Sequence, residues 1–145
     1  IRDVPSLYMN ESIDSEKLAN KLNNACENAG RTEALKVMIQ VDTSGEDTKS
    51  GVDSNELLPL VDFITKQCPK LQLCGLMTIG APNDMTCFDK LVQSRQEVAR
   101  HLQVSEDQFE LSMGMSGDFE EAIARGSTNV RVGSTIFGAR IYNNK

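Results

Sequence analysis

An α/β fold of parallel strands joined by crossover helices is the class this sequence predicts, and three observations predict it. Short apolar runs alternate with helix-period segments about five times. Such alternation implies parallel strands, because each return to the sheet needs a crossover. The strand-like runs are apolar on both faces, as strands are when helices cover a sheet. No repeat of fixed period, low-complexity segment or linker interrupts the pattern, so residues 1–145 read as a single domain. Periodicity alone leaves two architectures open, a doubly wound sheet and a (β/α)8 barrel.

In chain order, Leu7-Tyr8-Met9 is a short apolar run and a weak strand. Residues 15–29 read as a helix with Leu18, Leu22, Ala25, Cys26 and Ala29 on one face. Asp14 or Ser15 can cap its start and Gly30 can end it. Lys36 to Val41 (KVMIQV) is a buried strand, followed by a polar loop from Asp42 to Gly51. Leu57, Leu60, Val61, Ile64 and Cys68 then fall at helical spacing. Pro59 is expected in or near the first turn of that helix, where its missing N–H costs little, and Pro69 stops it. Leu73 to Ile79 (LCGLMTI) is the next strand and runs into the loop Gly80-Ala81-Pro82-Asn83. Phe88, Leu91, Val92, Ala99 and Leu102 mark a third helix, and Phe109 to Met113 a strand. Asp118 to Arg125 is a short helix closed by Gly126, with Phe119, Ala122 and Ile123 inward. Asn129 to Val132 is the last clear strand.

Composition excludes several function classes. Lys and Arg total 15 and Asp and Glu total 21, a net charge of −6. That charge argues against a nucleic-acid backbone as partner, although a few N–H groups and one Arg can still hold a small anion. Cys26, Cys68, Cys74 and Cys87 include no CxxC pair, and His101 is the only histidine, so a structural zinc site is not expected. The cysteines read as buried or half-buried free thiols of a reducing compartment. No apolar run approaches the roughly 20 residues of a membrane span, and no signal peptide is visible. The expectation is a cytoplasmic protein with no membrane partner, and a first residue of Ile rather than Met fits a fragment.

The chemistry concentrates near the C-terminus. Leu111-Ser112-Met113-Gly114-Met115-Ser116-Gly117-Asp118 and Val130-Arg131-Val132-Gly133-Ser134-Thr135-Ile136-Phe137-Gly138 each run from a strand into small residues rich in N–H and hydroxyl donors. Helix starts and Gly/Ser turns of this kind suit an anion. In barrels, a phosphate often rests on the loops after the last two strands. The bland alternative is that Ser116 caps a helix and Gly133 makes a tight turn. Arg131 stands within an apolar strand, where Arg is uncommon. It reads as a ligand contact from a barrel mouth, or as a strand-end residue or ion-pair partner.

Four stretches carry a resemblance: VPSLYMNESIDSEKLA (Val4 to Ala19), LKVMIQVDTSGEDTKSG (Leu35 to Gly51), CGLMTIG (Cys74 to Gly80) and LSMGMSGDFEEAIARGSTNVRVGSTIFGAR (Leu111 to Arg140). Spanning nearly the whole chain in order, they resemble the pyridoxal 5'-phosphate (PLP) homeostasis family, the YggS or PROSC type. The resemblance implies a partial (β/α)8 TIM barrel of the alanine racemase N-terminal-domain type. About the last five βα units are expected, from about the fourth strand onward, as one incomplete PLP-binding barrel domain over 1–145. The strand that bears the family's Schiff-base lysine is then absent. Lys36 lies at the wrong end of its strand to replace it, Lys49 matches a loop lysine, and the remaining lysines lie on helices, at their ends or at the terminus.

Carried over residue by residue, the resemblance assigns Ser116, Gly133, Ser134 and Thr135 to the phosphate, Arg131 to the pyridine nitrogen, and Met77 and Met113 to the ring pocket. A guanidinium only donates hydrogen bonds and stays charged, so it cannot leave a proton on the ring nitrogen as a carboxylate can. The ring is then a weaker electron sink, which suits carrying PLP better than carbanion chemistry. Asp42 stands where the family usually has Asn, and its carboxylate weakens cofactor binding unless it is paired or turned away. The implied function is a non-catalytic carrier or buffer of PLP in vitamin B6 homeostasis, a monomer when full length, with PLP-requiring apoenzymes as candidate recipients. The alternative is a racemase-like enzyme of the same fold. It needs a base opposite the lysine, and neither Tyr8 nor Tyr142 lies in an evident mouth loop. The chain ends shortly after Arg140, so the second domain of the racemases is not expected. By itself the chain is expected to leave sheet edges exposed, to tend to aggregate, and to bind PLP weakly.

Overall fold

The computed structural model describes residues 4, 6–45 and 51–138. Five strands form one sheet: β1 (Met9–Ile13), β2 (Leu35–Gln40), β3 (Leu71–Met77), β4 (Glu110–Met115) and β5 (Asn129–Arg131). They are followed in turn by α1 (Glu16–Asn28), α2 (Ser54–Gln67), α3 (Thr86–Leu102), α4 (Phe119–Ala124) and α5 (Ser134–Phe137). All four neighbouring pairs are parallel, and the spatial order is β1-β2-β3-β4-β5. A doubly wound sheet reverses its order at a switch point. This sheet never reverses, so right-handed crossovers lay successive helices on the same face.

The other face is concave. In a flat sheet β1 and β4 would lie three spacings apart, about 14 Å. Yet Glu11 of β1 accepts a hydrogen bond from Ser112 of β4 at 2.6 Å, and another from Asn129 of β5 at 2.8 Å. Side chains bridge those strands only if the sheet curls strongly toward itself. The five strands are thus a half-barrel, and the choice that periodicity left open falls to the barrel.

Local chemistry explains the elements. Ser15 caps α1, accepting from the Leu18 N–H at 3.3 Å, and Gly30 ends that helix at φ +66°. Two expectations are corrected. The first strand is Met9–Ile13, not Leu7–Met9. Its polar residues Asn10, Glu11 and Ser12 hide it from a search for apolar runs, although Glu11 is spent inside the curl. Pro59 stands six residues into α2, beyond the first turn, because that helix begins at Ser54. Pro59 and Asn55 are both exposed, so the carbonyl left without its helical N–H faces water.

The main core lies between sheet and helices, with Ile13, Leu35, Val37, Ile39, Leu57, Ile64, Leu76, Leu91 and Leu111 all fully buried. A second, smaller cluster of Met38, Cys74 and Met77, flanked by Met9, fills the concave side. The four cysteines are free and buried, and burial pushes the Cys74 thiol up to about 11. Among the described residues no helix is long and apolar enough to cross a membrane.

Candidate functional site

The C-terminal ends of β3, β4 and β5 bring most of the singled-out residues to one end of the half-barrel. Arg131, the last residue of β5, reaches across the concave face. Its Nη1 donates to Ser112 Oγ at 2.6 Å and its Nη2 to the Thr78 carbonyl, just past β3, at 2.8 Å. Burial pulls this guanidinium below its ordinary value, while the charges of Glu11 and Asp118 push it back. The side chain is half-buried and two of its five donors are used, so it retains donors for a ligand.

The second part of the site lies just beyond. Met115 and Asp118 close a tight turn: the Met115 N–H donates to Asp118 Oδ1 at 2.6 Å and the Asp118 N–H to the Met115 carbonyl at 3.1 Å. Ser116 stands in that turn. Its Oγ accepts from the Gly133 N–H at 3.0 Å and the Thr135 N–H at 3.4 Å. Gly133 is the N-cap of α5, and Ser134 and Thr135 open that helix. The first N–H groups of a helix have no partner one turn back. Two donors from the segment after β5 have therefore converged on one oxygen offered by the turn after β4, a constellation that also fits an anionic oxygen. The position is exposed at Gly133, Ser134 and Thr135 and half-buried at Ser116.

Gly114 fixes the approach of α4 to this turn. Its φ is +94°, and a Cβ there would come within 2.6 Å of Ala122 Cβ and 3.1 Å of Phe119 Cα. Met77 belongs to the concave-side cluster and ends β3, so it lies beside Arg131's anchor at Thr78. Met113 is not brought to this set. It is fully buried in the main core with Leu111 and Ala122, on the opposite face of β4 from Ser112. Side chains alternate along a strand, so Ser112 and Met113 cannot share a face.

The family model for the alanine racemase N-terminal domain matches residues 2–141. The chain belongs to that family. Among curated proteins it is similar to the pyridoxal phosphate homeostasis proteins. It is 47% identical to the human one, over 98% of this chain and 54% of that protein. The chain thus spans about half the length of the relatives it matches. PipY of Synechococcus elongatus PCC7942, whose structure was solved with PLP bound, is similar with a TM-score of 0.70 at 28% identity, over 95% of this chain and 66% of PipY. Alanine racemase from Corynebacterium glutamicum shares the fold, with a TM-score of 0.63 at 18% identity over 94% of this chain and 37% of that enzyme.

Lys36 lies near the start of β2, at the far end from Ser116, where its Nζ donates to Tyr8 Oη at 2.6 Å. Tyr8 is therefore at that far end as well. Lys17 and Lys21 are on α1, Lys66 on α2, and Lys70 just before β3, where its Nζ donates to the Arg31 carbonyl. Lys90 on α3 donates to the Thr43 carbonyl at 2.8 Å. Lys49, Lys145, Arg140 and Tyr142 lie outside the described residues. Asp42 turns its carboxylate into its own loop: Oδ1 accepts from the Ser44 N–H and hydroxyl and from the Gly45 N–H at 2.8–3.1 Å. The carboxylate is paired there.

Glu11 and Ser112 escaped the sequence reading of the site. Glu11 lies in a polar run that reads as loop, and Ser112 is one hydroxyl in an apolar strand. The one available signal was an acid two residues after Met9, the spacing of a single strand face, while a register shift between Asn10 and Ile13 turns Ile13 to the helix side.

Proposed function

We propose that this chain is the phosphate-binding part of a PLP homeostasis protein, a non-catalytic carrier or buffer of the vitamin B6 cofactor. One observation carries the reading: the N–H groups of Gly133 and Thr135, from the loop after β5, turn onto Ser116 Oγ, in the loop after β4. In this reading Ser116 Oγ marks the place of a phosphate oxygen. On binding, the two N–H groups and that of Ser134 turn to the phosphate, and the Ser116 hydroxyl donates to it as well. Arg131 points a remaining N–H at the pyridine nitrogen, and Met77 lines the ring. PLP itself supplies an aldehyde and an electron-poor ring. The residues of this chain hold and orient it, and a guanidinium partner keeps that ring nitrogen unprotonated.

We read residues 1–145 as one incomplete barrel domain, the C-terminal part of its family's barrel. The Schiff-base lysine then belongs to a segment outside these residues. The described lysines support this, since none lies on the concave face at the Ser116 end. Four buried free thiols fit a reducing cytoplasm. The racemase-like alternative is weaker, because Tyr8 is at the end of the half-barrel away from Ser116.

The test is addition of PLP, borohydride reduction and intact-mass analysis, on this chain and on a version extended by the N-terminal strands of a relative. A stoichiometric adduct on the extended protein alone is the expected result. A single-site adduct on the 145-residue chain would overturn the placement of the lysine.

A further inference from the structure

Arg131, Ser112 and Glu11 form a relay across the half-barrel whose direction is fixed by chemistry. Arg131 can only donate, so Ser112 Oγ must accept at 2.6 Å. The one proton of Ser112 is then left for Glu11 Oε2, also at 2.6 Å. The other oxygen of Glu11 accepts from Asn129 Nδ2 at 2.8 Å. One end of the chain is an obligate donor and the other, as a carboxylate, an obligate acceptor. The hydroxyl between them is fully buried and has no alternative orientation that satisfies both.

We infer that Glu11 is a positioning residue for the ligand's ring: through Ser112 it holds the Arg131 guanidinium aimed at the ring nitrogen. This rests on the proposed reading of the site as a PLP pocket. Glu11 comes from β1 and Arg131 from β5, the two ends of the sheet, so the relay also ties ligand orientation to the curl of the half-barrel. Its role is separable from that of a mere charge. A carboxylate near an anionic ligand disfavours binding by repulsion, so removing a charge that did nothing else would tighten PLP binding. Removing a positioning group loosens it. Glutamine distinguishes the two, because its carbonyl can accept from Ser112 while Asn129 turns its amide to accept from the new N–H.

The experiment titrates the full 145-residue chain and its Glu11→Ala, Glu11→Gln and Ser112→Ala variants by calorimetry. Three ligands are used: PLP, its 1-deaza analogue with CH in place of the ring nitrogen, and inorganic phosphate. Thermal melts accompany each variant. Glu11→Ala and Ser112→Ala should each weaken PLP about tenfold, the scale of one lost hydrogen bond to a charged group. Both should leave the deaza analogue and phosphate unchanged, and Glu11→Gln should keep PLP affinity near that of the parent. If Glu11→Ala leaves PLP unchanged or tighter, or weakens all three ligands alike, the inference is overturned while the pocket reading stands. If the parent chain itself does not prefer PLP to the deaza analogue, the role of Arg131 falls and the inference falls with it. Should Glu11→Ala fail to fold, Ser112→Ala and Glu11→Gln decide alone.

Discussion

At the scale of single residues, the site depends on where backbone and side chain have no freedom. Gly114 shows this most sharply, since its φ of +94° and its contact with Ala122 leave no room for a methyl group. Gly114→Ala must strain the backbone and push α4 off β4, a combined loss of about 3 kcal/mol. A melt followed by circular dichroism should show a clearly lower Tm, and an unchanged Tm would mean the turn can relax. Gly114 also sits two residues before Ser116, so the same variant should weaken phosphate binding. Not every such residue was legible beforehand. Ser116, Arg131 and Gly133 stood out because donors gathered at strand ends are unusual enough to read from a sequence. Glu11 did not, because its meaning lies in a contact 101 residues away with Ser112. The resemblance assigns Met113 to the ring pocket, but strand alternation turns it to the helices. A residue's strand can be legible while its face is not, unless the register of the whole strand is known.

At the scale of elements, helices and buried strands were read well because their apolar period is set by the core they bury. β1 was displaced because only Ile13 of its five residues is fully buried and its centre is polar. The helices are joined to each other partly by charge. Asp62 on α2 takes a hydrogen bond with His101 on α3 at 3.0 Å and an ion pair with Lys66 at 3.0 Å. These partners, His101 first and Lys66 next, hold the Asp62 carboxyl below its ordinary value of 3.8. A value depressed by folding stabilises the fold above the unfolded value and loses that effect as pH falls through the folded one. Asp62→Asn should therefore lower the Tm slightly at neutral pH. The gap to the parent should close as pH is taken below 3.8, and should shrink with added salt because the pair is at the surface. A gap that persists once acid has fully protonated the carboxyl, and in high salt, would assign the loss to packing between α2 and α3 instead.

At the scale of the molecule, a half-barrel faces the problem that a closed barrel abolishes. β1 and β5 each have a strand neighbour on one side only among the described residues. Unpaired parallel edges present rows of N–H and C=O groups to any other chain. Beside β5, Ile123, Ile136 and Phe137 are 54%, 66% and 85% exposed. Apolar area of this kind, next to an open edge, drives association. The net charge of −6 opposes it. The balance yields a distinctive expectation. In sedimentation velocity the 145-residue chain should show a mass that rises with concentration, and rises further when about 0.5 M salt screens the repulsion. Replacing Phe137 and Ile136 by Asp and Lys should lower that mass at equal concentration without lowering the Tm, because both side chains are already in water. A chain that stays monomeric at all concentrations and salts, and melts in one sharp cooperative step, would overturn this account. The edges would then be protected by the chain itself, and the concave face with its Glu11 relay would be stable without further strands.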